Sequence, residues 1–328
     1  MNMQALILNR YNGPLELTKL SRPSAEPGQV LVRIKASGLN PLDTKIRAGS
    51  AAHARHPLPL VLGIDMAGVV EAVGPGVAQF KSGDEVYGMT GGVGGIQVSL
   101  AQFAAVDARL IALKPSNLSM KEAAALPLSF ITSYQGIVDR AQLKAGQTVL
   151  VQGGAGGVGH VSVQLAQALG ARVFATVSKD DAELMASYGA TAIDYREYPV
   201  EQYVQEHTGG KGFDLVADTV GGATLDASFS AVKQFGHVVS ALGWGTHALA
   251  PLSFREATYS GVFTLSALLT GKHREHHGEM LQVATQLVKA GKLVPRVDPR
   301  SFDLASADLA YQAITAGTTK GKIVVDVQ

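Results

Sequence analysis

Gly153-Gly154-Ala155-Gly156-Gly157-Val158-Gly159 is the stretch whose residue types say most about chemistry. Backbone this bare suits a polyanion. Gly154 is expected to make the tight turn, and Gly156 and Gly157 to let the main chain approach a pyrophosphate. Gly159 is expected to let a helix pack closely on a strand. The first N–H groups of that helix, across Ala155 to Val158, and its positive dipole end would face the phosphates. Further on stand Ser178 and Lys179, a hydroxyl donor and a cation. They suit a ribose 2′-phosphate, with each charge-assisted contact worth roughly 1.5–3 kcal/mol, so the expected cofactor is NADP(H). A solvated loop is the competing account of this pair. Asp180 and Asp181 could read an unphosphorylated ribose, or could begin the next helix, whose dipole favours acids there.

The elements needed to position these groups are visible around them. Val149, Leu150 and Val151 form an apolar run before the glycines, and Val158, Val161, Leu165, Ala168 and Leu169 recur at helical spacing after them. Gly170 stops the helix, and a β-branched run from Ala171 to Val177 follows. This is a βαβ unit of about thirty residues, the setting expected for dinucleotide binding. Later strands are expected at 192–195, 213–218 and 237–240, giving a parallel, doubly wound sheet. Ligands of such sheets sit at the carboxyl ends of the strands, so Val220, Gly221, Leu242 and Gly243 are expected at a pocket rim, against a reading as plain turn residues.

The first 120 residues read differently, as short strands with Gly- and Pro-rich turns, which suggests a partly open β-barrel. Val30, Val32 and Ile34 alternate with Leu31, Arg33 and Lys35, predicting a strand with one face more buried. The four glycines of 91–95 look like a mobile loop. Residues 119–138 are Ala-rich and read as one helical stretch, with Ser119 and Glu122 at capping-box spacing. A helix near 280–290 and a strand at 323–325 close the chain.

The 328 residues suggest two domains, and 46% hydrophobic with 17% charged residues is ordinary for a globular enzyme. A net charge of +1 offers no field for nucleic acid. No apolar run reaches the roughly 18 residues of a membrane span. The N-terminal apolar stretch is too short for a signal peptide, and there is no cysteine, so a cytoplasmic setting is expected and thiolate zinc sites and disulfides are excluded.

The order of these elements, with KASGLNPLDTKIRAG (35–49), LGIDMAGVVEAVG (62–74), FKSGDEVYG (80–88), EAAALPLSFITSYQ (122–135), GGAGGVG (153–159) and GKIVV (321–325), resembles the medium-chain dehydrogenase/reductase superfamily over nearly the whole chain. Within it the sequence looks most like the zinc-independent quinone oxidoreductase branch. The resemblance implies an α/β protein: a GroES-like catalytic domain (1–123 and 263–328) and a Rossmann NADP-binding domain (124–262). It implies NADPH-dependent hydride transfer to a quinone or an α,β-unsaturated carbonyl. A superfamily member that binds NADPH with little turnover is the alternative. Zinc-dependent relatives carry a Cys and a His-Glu pair where this chain has Asn40, Ile64 and Asp65, a poor donor set for zinc, so no metal is expected. His273, His276 and His277 remain as the other candidate ligands, against a reading as a solvated helix end.

The resemblance also assigns residues. Asn40 would lie beside the nicotinamide, its amide bonding the cofactor or the substrate carbonyl; a turn Asn before Pro41 is the plain reading. Thr132 would contact the nicotinamide carboxamide and Tyr195 the 2′-phosphate. Lys322 would reach the ribose or substrate side, or be a surface lysine. Many relatives carry a tyrosine over the substrate that 47–60 lacks; His53 or His56 could supply a proton, or simply lie on a loop surface, and no general acid is assigned. Homodimers pairing cofactor-domain edge strands are common in the family, which points to 238–241.

Overall fold

The computed structural model describes residues 1–328. The chain divides into two compact units, Met1–Leu128 with Leu265–Gln328, and Ser129–Thr264.

The first unit opens with β1 (Asn2–Leu8), β2 (Leu15–Ser21) and β3 (Gln29–Gly38), then α1 (Pro41–Arg47), β4 (Leu60–Val61), β5 (Asp65–Val73), β6 (Glu85–Met89), β7 (Phe103–Asp107), β8 (Ile111–Leu113) and α2 (Met120–Ala124). β1 pairs with β2 and β4; β3 pairs antiparallel with both β5 and β7. Leu31 is buried along with Val30, Val32 and Ile34, so alternation in β3 is confined to Arg33 and Lys35. A strand paired on both sides in mid-sheet can be covered on both faces. The glycines of 91–95 do not form a loose loop. Gly92 N–H donates to Ile96 O, Gly94 N–H donates to Ala54 O, and Val93 is buried.

The helical stretch after Ser119 is broken. The capping box forms, with Glu122 N–H on Ser119 Oγ and Ser119 N–H on Glu122 Oε2. α2 then ends and α3 (Pro127–Tyr134) starts on Pro127, which tolerates a first-turn position because it has no N–H to lose.

The second unit contains β9 (Thr148–Gln152), α4 (Gly159–Ala168), β10 (Arg172–Val177), α5 (Ala182–Ser187), β11 (Thr191–Asp194), α6 (Val200–Thr208), β12 (Phe213–Asp218), α7 (Ala223–Ala231), β13 (Val232–Ser240), α8 (Ala250–Ser253) and β14 (Thr258–Gly261). Its strands are all parallel, in the order β11-β10-β9-β12-β13-β14. Strand order reverses at β9, so the carboxyl end of β9 is the switch point where such sheets take their ligands. Leu150, Phe174, Phe213, Val216, Phe229 and Val238 are among the side chains that fill the core. The expected edge at 238–241 is corrected here. Val238 pairs with Val216 on one side and Tyr259 on the other, because a further strand, β14, forms beyond it and takes the edge.

The chain returns to the first unit through α9 (Ser266–Thr270), α10 (Arg274–Lys289), β15 (Phe302–Asp303), α11 (Ala307–Thr315) and β16 (Val324–Asp326). β16 lies antiparallel to β3, with Val324 opposite Gly38.

Candidate functional site

In the second unit the glycine loop leaves β9 at the switch point. The positive φ of +73° belongs to Gly153, so Gly153 rather than Gly154 makes the turn. Gly154 is needed for packing: a Cβ there would stand 2.6 Å from Ala175 Cβ on β10. A Cβ on Gly159 would stand 2.0 Å from Gly153 O, which closes the loop onto the first turn of α4. At the exposed Gly156 a Cβ would meet nothing nearer than Gly153 O at 3.3 Å. The bare side of the loop is therefore turned outward at Gly156, beside Gly157 and Val158, as a pyrophosphate would require. Thr176 pins the loop from beneath, its Oγ1 accepting from Gly153 N–H at 3.0 Å and its carbonyl accepting from Gly154 N–H at 3.0 Å. Thr176 Oγ1 in turn donates to Gln152 Oε1 at 2.7 Å, and Gln152 Nε2 donates to Tyr203 OH.

The neighbouring strand ends bring more of the expected residues to this loop. A Cβ on Gly153 would lie 2.7 Å from Val220 Cγ2, and one on Gly221 would lie 2.6 Å from Leu242 O. Gly243 lies against Tyr259, whose hydroxyl a Cβ would meet at 2.1 Å. Asp218 organises this rim: its Oδ1 accepts from Val220 and Gly221 N–H, and its Oδ2 accepts from Ser240 Oγ at 2.6 Å. Thr132 lines a narrow crevice with Val158, Thr219, Ser240 and Val262.

At the carboxyl ends of β10 and β11 lie Ser178, the exposed Lys179 and Tyr195, 55% exposed. Tyr195 N–H reaches Val177 O, which ties the two ends together. Ser178 Oγ donates to Asp181 Oδ2 at 3.2 Å, so its hydroxyl hydrogen is already engaged. Asp181 stands at the N-cap of α5, where the helix dipole suits it. The sequence reading missed Arg196, whose guanidinium sits 5.6 Å from the Tyr195 ring centroid and adds a second cation here. A basic residue directly after the Tyr that follows a strand was the available signal.

In the first unit, Asn40, Asp65 and Lys322 are drawn together. Asn40 stands at the N-cap of α1, where Asp43 Oδ2 accepts its N–H at 2.8 Å. Its side-chain Nδ2 donates to Asp65 Oδ2 at 3.0 Å and its Oδ1 accepts from Lys322 Nζ. Asp65 Oδ1 accepts from Leu128 N–H, and Lys322 Nζ lies 3.7 Å from Asp65 Oδ2. Asn40 is thus not merely a turn residue, and Lys322 is not a surface lysine. Leu39 N–H on Ile323 O and the β16–β3 pairing carry Lys322 inward, and Gly321, at φ +140°, permits the turn before it. Burial raises the Asp43 carboxyl to about 7 and the Asp65 carboxyl to about 6, in both cases against the pull of Lys322. Burial also lowers the Lys322 ammonium from its usual range.

The histidines fall elsewhere. His56 is buried, pushed down by burial, with Nε2 at 3.1 Å from Val61 O; its Nδ1 has no partner. A carbonyl fixes the proton on Nε2, so the free nitrogen is an acceptor and not a proton donor. His53 is half-buried in a short 3-10 turn (Ala52–Ala54). The reading of 273–277 as a solvated helix end is corrected for His277, which is 1% exposed with neither ring nitrogen partnered; His273 caps α10 and His276 bonds Glu279. No three His, Asp or Glu side chains are grouped to hold a metal ion.

A family model described as a zinc-binding dehydrogenase matches residues 188–325, and one described as an alcohol dehydrogenase GroES-like domain matches 26–116. The chain is 37% identical over 325 residues to the 2-methylene-furan-3-one reductase of Solanum lycopersicum, covering 95% of this chain and 76% of that one. It is 34% identical over 335 residues to the chloroplastic NADPH-dependent alkenal/one oxidoreductase of Arabidopsis thaliana, covering 98% and 79%. It is 29% identical over 333 residues to the quinone oxidoreductase of Pongo abelii, covering 98% and 97%. Among solved structures, an alcohol dehydrogenase superfamily protein from Novosphingobium aromaticivorans matches with a TM-score of 0.98 and 59% identity over 99% of this chain and all of that one.

Proposed function

The chain belongs to the medium-chain dehydrogenase/reductase superfamily, in its zinc-independent quinone oxidoreductase branch, and on that premise we propose that it is an NADPH-dependent reductase of quinones or α,β-unsaturated carbonyls. Its α/β fold joins a GroES-like domain to a doubly wound, Rossmann-type parallel sheet. The functional division is a catalytic domain, 1–123 with 263–328, and a cofactor domain, 124–262.

One observation carries the cofactor. The bare loop at the switch point is followed, at the ends of the next two strands, by Lys179 and Arg196, where an NAD reader would present an acid to the ribose. Gly154, Ala155, Gly156, Gly157, Val158 and Gly159 would hold the pyrophosphate. Lys179, Tyr195 and Arg196 would hold the 2′-phosphate, and Val220, Leu242, Gly243 and Thr132 would border the nicotinamide end. Bound NADPH supplies hydride. The residues supply confinement and fixed dipoles, which suit an acceptor whose negative charge spreads onto oxygen. Ile64 has no donor atom and Asn40 has its amide engaged by Lys322 and Asp65, so the set does not fit a zinc-held alkoxide. The enone- and quinone-reducing relatives support the substrate class.

The second reading, NADPH binding with little turnover, is favoured by the absence of a tyrosine in 47–60 and by the engaged N–H of His56. Steady-state NADPH oxidation with ortho- and para-quinones and with enals separates the two. Turnover with either class is expected. Tight NADPH binding without turnover across the panel would leave only the second reading.

A further inference from the structure

Within the second unit, His247 is the one residue of 243–250 that is not exposed. Gly245, at φ +108°, turns the chain so that the imidazole comes back onto its own loop. Its Nε2 lies 3.2 Å from Trp244 O, and its Nδ1 lies 2.9 Å from Asp226 Oδ1 on α7. A carbonyl and a carboxylate only accept, so the ring that makes both bonds carries hydrogen on both nitrogens and is an imidazolium. A neutral ring can make only one of them. The ring also meets the buried Phe229 in a T-shaped arrangement, centroids 6.2 Å apart, and Phe229 meets Tyr259 in the same way at 5.9 Å. Tyr259 is the residue against which Gly243 lies, and Leu242 N–H donates to Ser240 Oγ at 3.0 Å. The segment after β13 is thus fastened at its start by Ser240 and Tyr259 and at its far end by His247.

We propose that His247 is a positioning residue, which as an imidazolium ties the segment after β13 to α7 and so holds Leu242 and Gly243 in place at the rim beside the glycine loop. This rests on the NADPH reading above. The charges that bear on the ring are Asp226 from α7 and Asp218 from the end of β12. Tyr259 of β14 is kept neutral by burial, and α8 carries no titratable side chain. The bond to Asp226, and after it the bond to Trp244 O, raises the imidazole above its ordinary value. The tie is therefore made at pH 6 and is lost as pH rises through that raised value. Asp226 is half exposed, so solvent keeps the effect modest.

The chain has a single tryptophan, and it is Trp244, 53% exposed, inside the tied segment. Its fluorescence anisotropy is followed from pH 6 to pH 9 in the full chain without ligand, for wild type, His247→Gln and Asp226→Asn. In wild type it is expected to fall as pH rises. The fall should be absent from His247→Gln, and its midpoint should move to lower pH in Asp226→Asn. The same proteins are then titrated with NADPH at pH 6 and pH 9. Ionisation of the dinucleotide itself is common to all of them, so the quantity compared is the ratio of the two dissociation constants. Wild type should lose about threefold more affinity between the two pH values than His247→Gln, the scale of one partly exposed hydrogen bond. An anisotropy that does not change with pH in wild type, or that falls equally in His247→Gln, would overturn the tie. A pH ratio for NADPH equal in wild type and His247→Gln would overturn its hold on the rim. Both results leave the NADPH reading intact, whereas a wild type that binds no NADPH at either pH would overturn that reading and the rim role with it.

Discussion

Lys179 and Arg196 carry opposite lessons about single residues. Lys179 stands out in the sequence because a cation comes two residues after the second strand of a βαβ unit. Arg196 does not, because its nearness to the end of that strand depends on β11 lying beside β10, which is a matter of sheet order and not of spacing. Lys322 was harder still. Its partner Asn40 is 282 residues away, and no local pattern marks a lysine as buried when its neighbours arrive from the far end of the chain. The glycine run was read correctly as a loop, yet its turn was placed one residue late, since Gly153 and Gly154 differ only in φ and in what lies against them. Lys179→Ala is expected to cost NADPH affinity on the order of 1.5–3 kcal/mol and NADH affinity far less. Paired titrations with the two dinucleotides check it, and equal losses would remove the 2′-phosphate role. Ser178→Ala should matter less, because its hydroxyl hydrogen already goes to Asp181.

Helix α10 shows what periodicity hides at the scale of an element. Its second half was expected from the sequence, but it begins at Arg274, in a stretch whose three histidines read as polar and exposed. His277 turns inward, and next to it Gly278 packs so closely that a Cβ would lie 2.7 Å from Arg109 O. Burial, reinforced by His276 and Arg274, pushes the His277 imidazole down to about 4. The unfolded chain takes up that proton near 6.5 and the folded chain only near 4, so stability is lost as pH falls through this window. The loss from this one group is on the order of 3 kcal/mol. Urea midpoints at pH 7.5 and 4.5 should show it as a gap that narrows in His277→Leu. A gap unchanged by the substitution would clear His277 of the effect. The break between α2 and α3 has the opposite character: Pro127 announced it, but the Ala-rich run before it and the apolar run after it read as one continuous helix.

For the molecule as a whole, the parallel sheet was legible from its alternation of strands and helices, and its edge was not. β14 is four residues long and was passed over, which made β13 look outermost. The outer side of β14 has no strand beside it within the chain. The homodimer suggested by the family would therefore use β14 and not 238–241. Sedimentation velocity should show a dimer for the wild type and a shift toward monomer for Thr258→Lys, since a lysine on an edge strand discourages pairing with another chain. A wild type that sediments as a monomer at every concentration would reject it.

The second unit is one unbroken stretch, whereas the first is made of two stretches that flank it. During synthesis on the ribosome, the parallel sheet can close as soon as Thr264 has emerged. The strand that brings Lys322 to Asn40 is translated much later, so the nucleotide-cradling half of the protein exists in finished form before the clamp on Asn40 does. A nascent chain stalled after the second unit should already retain on an immobilised adenosine bisphosphate, while its Asn40 amide is still free to turn.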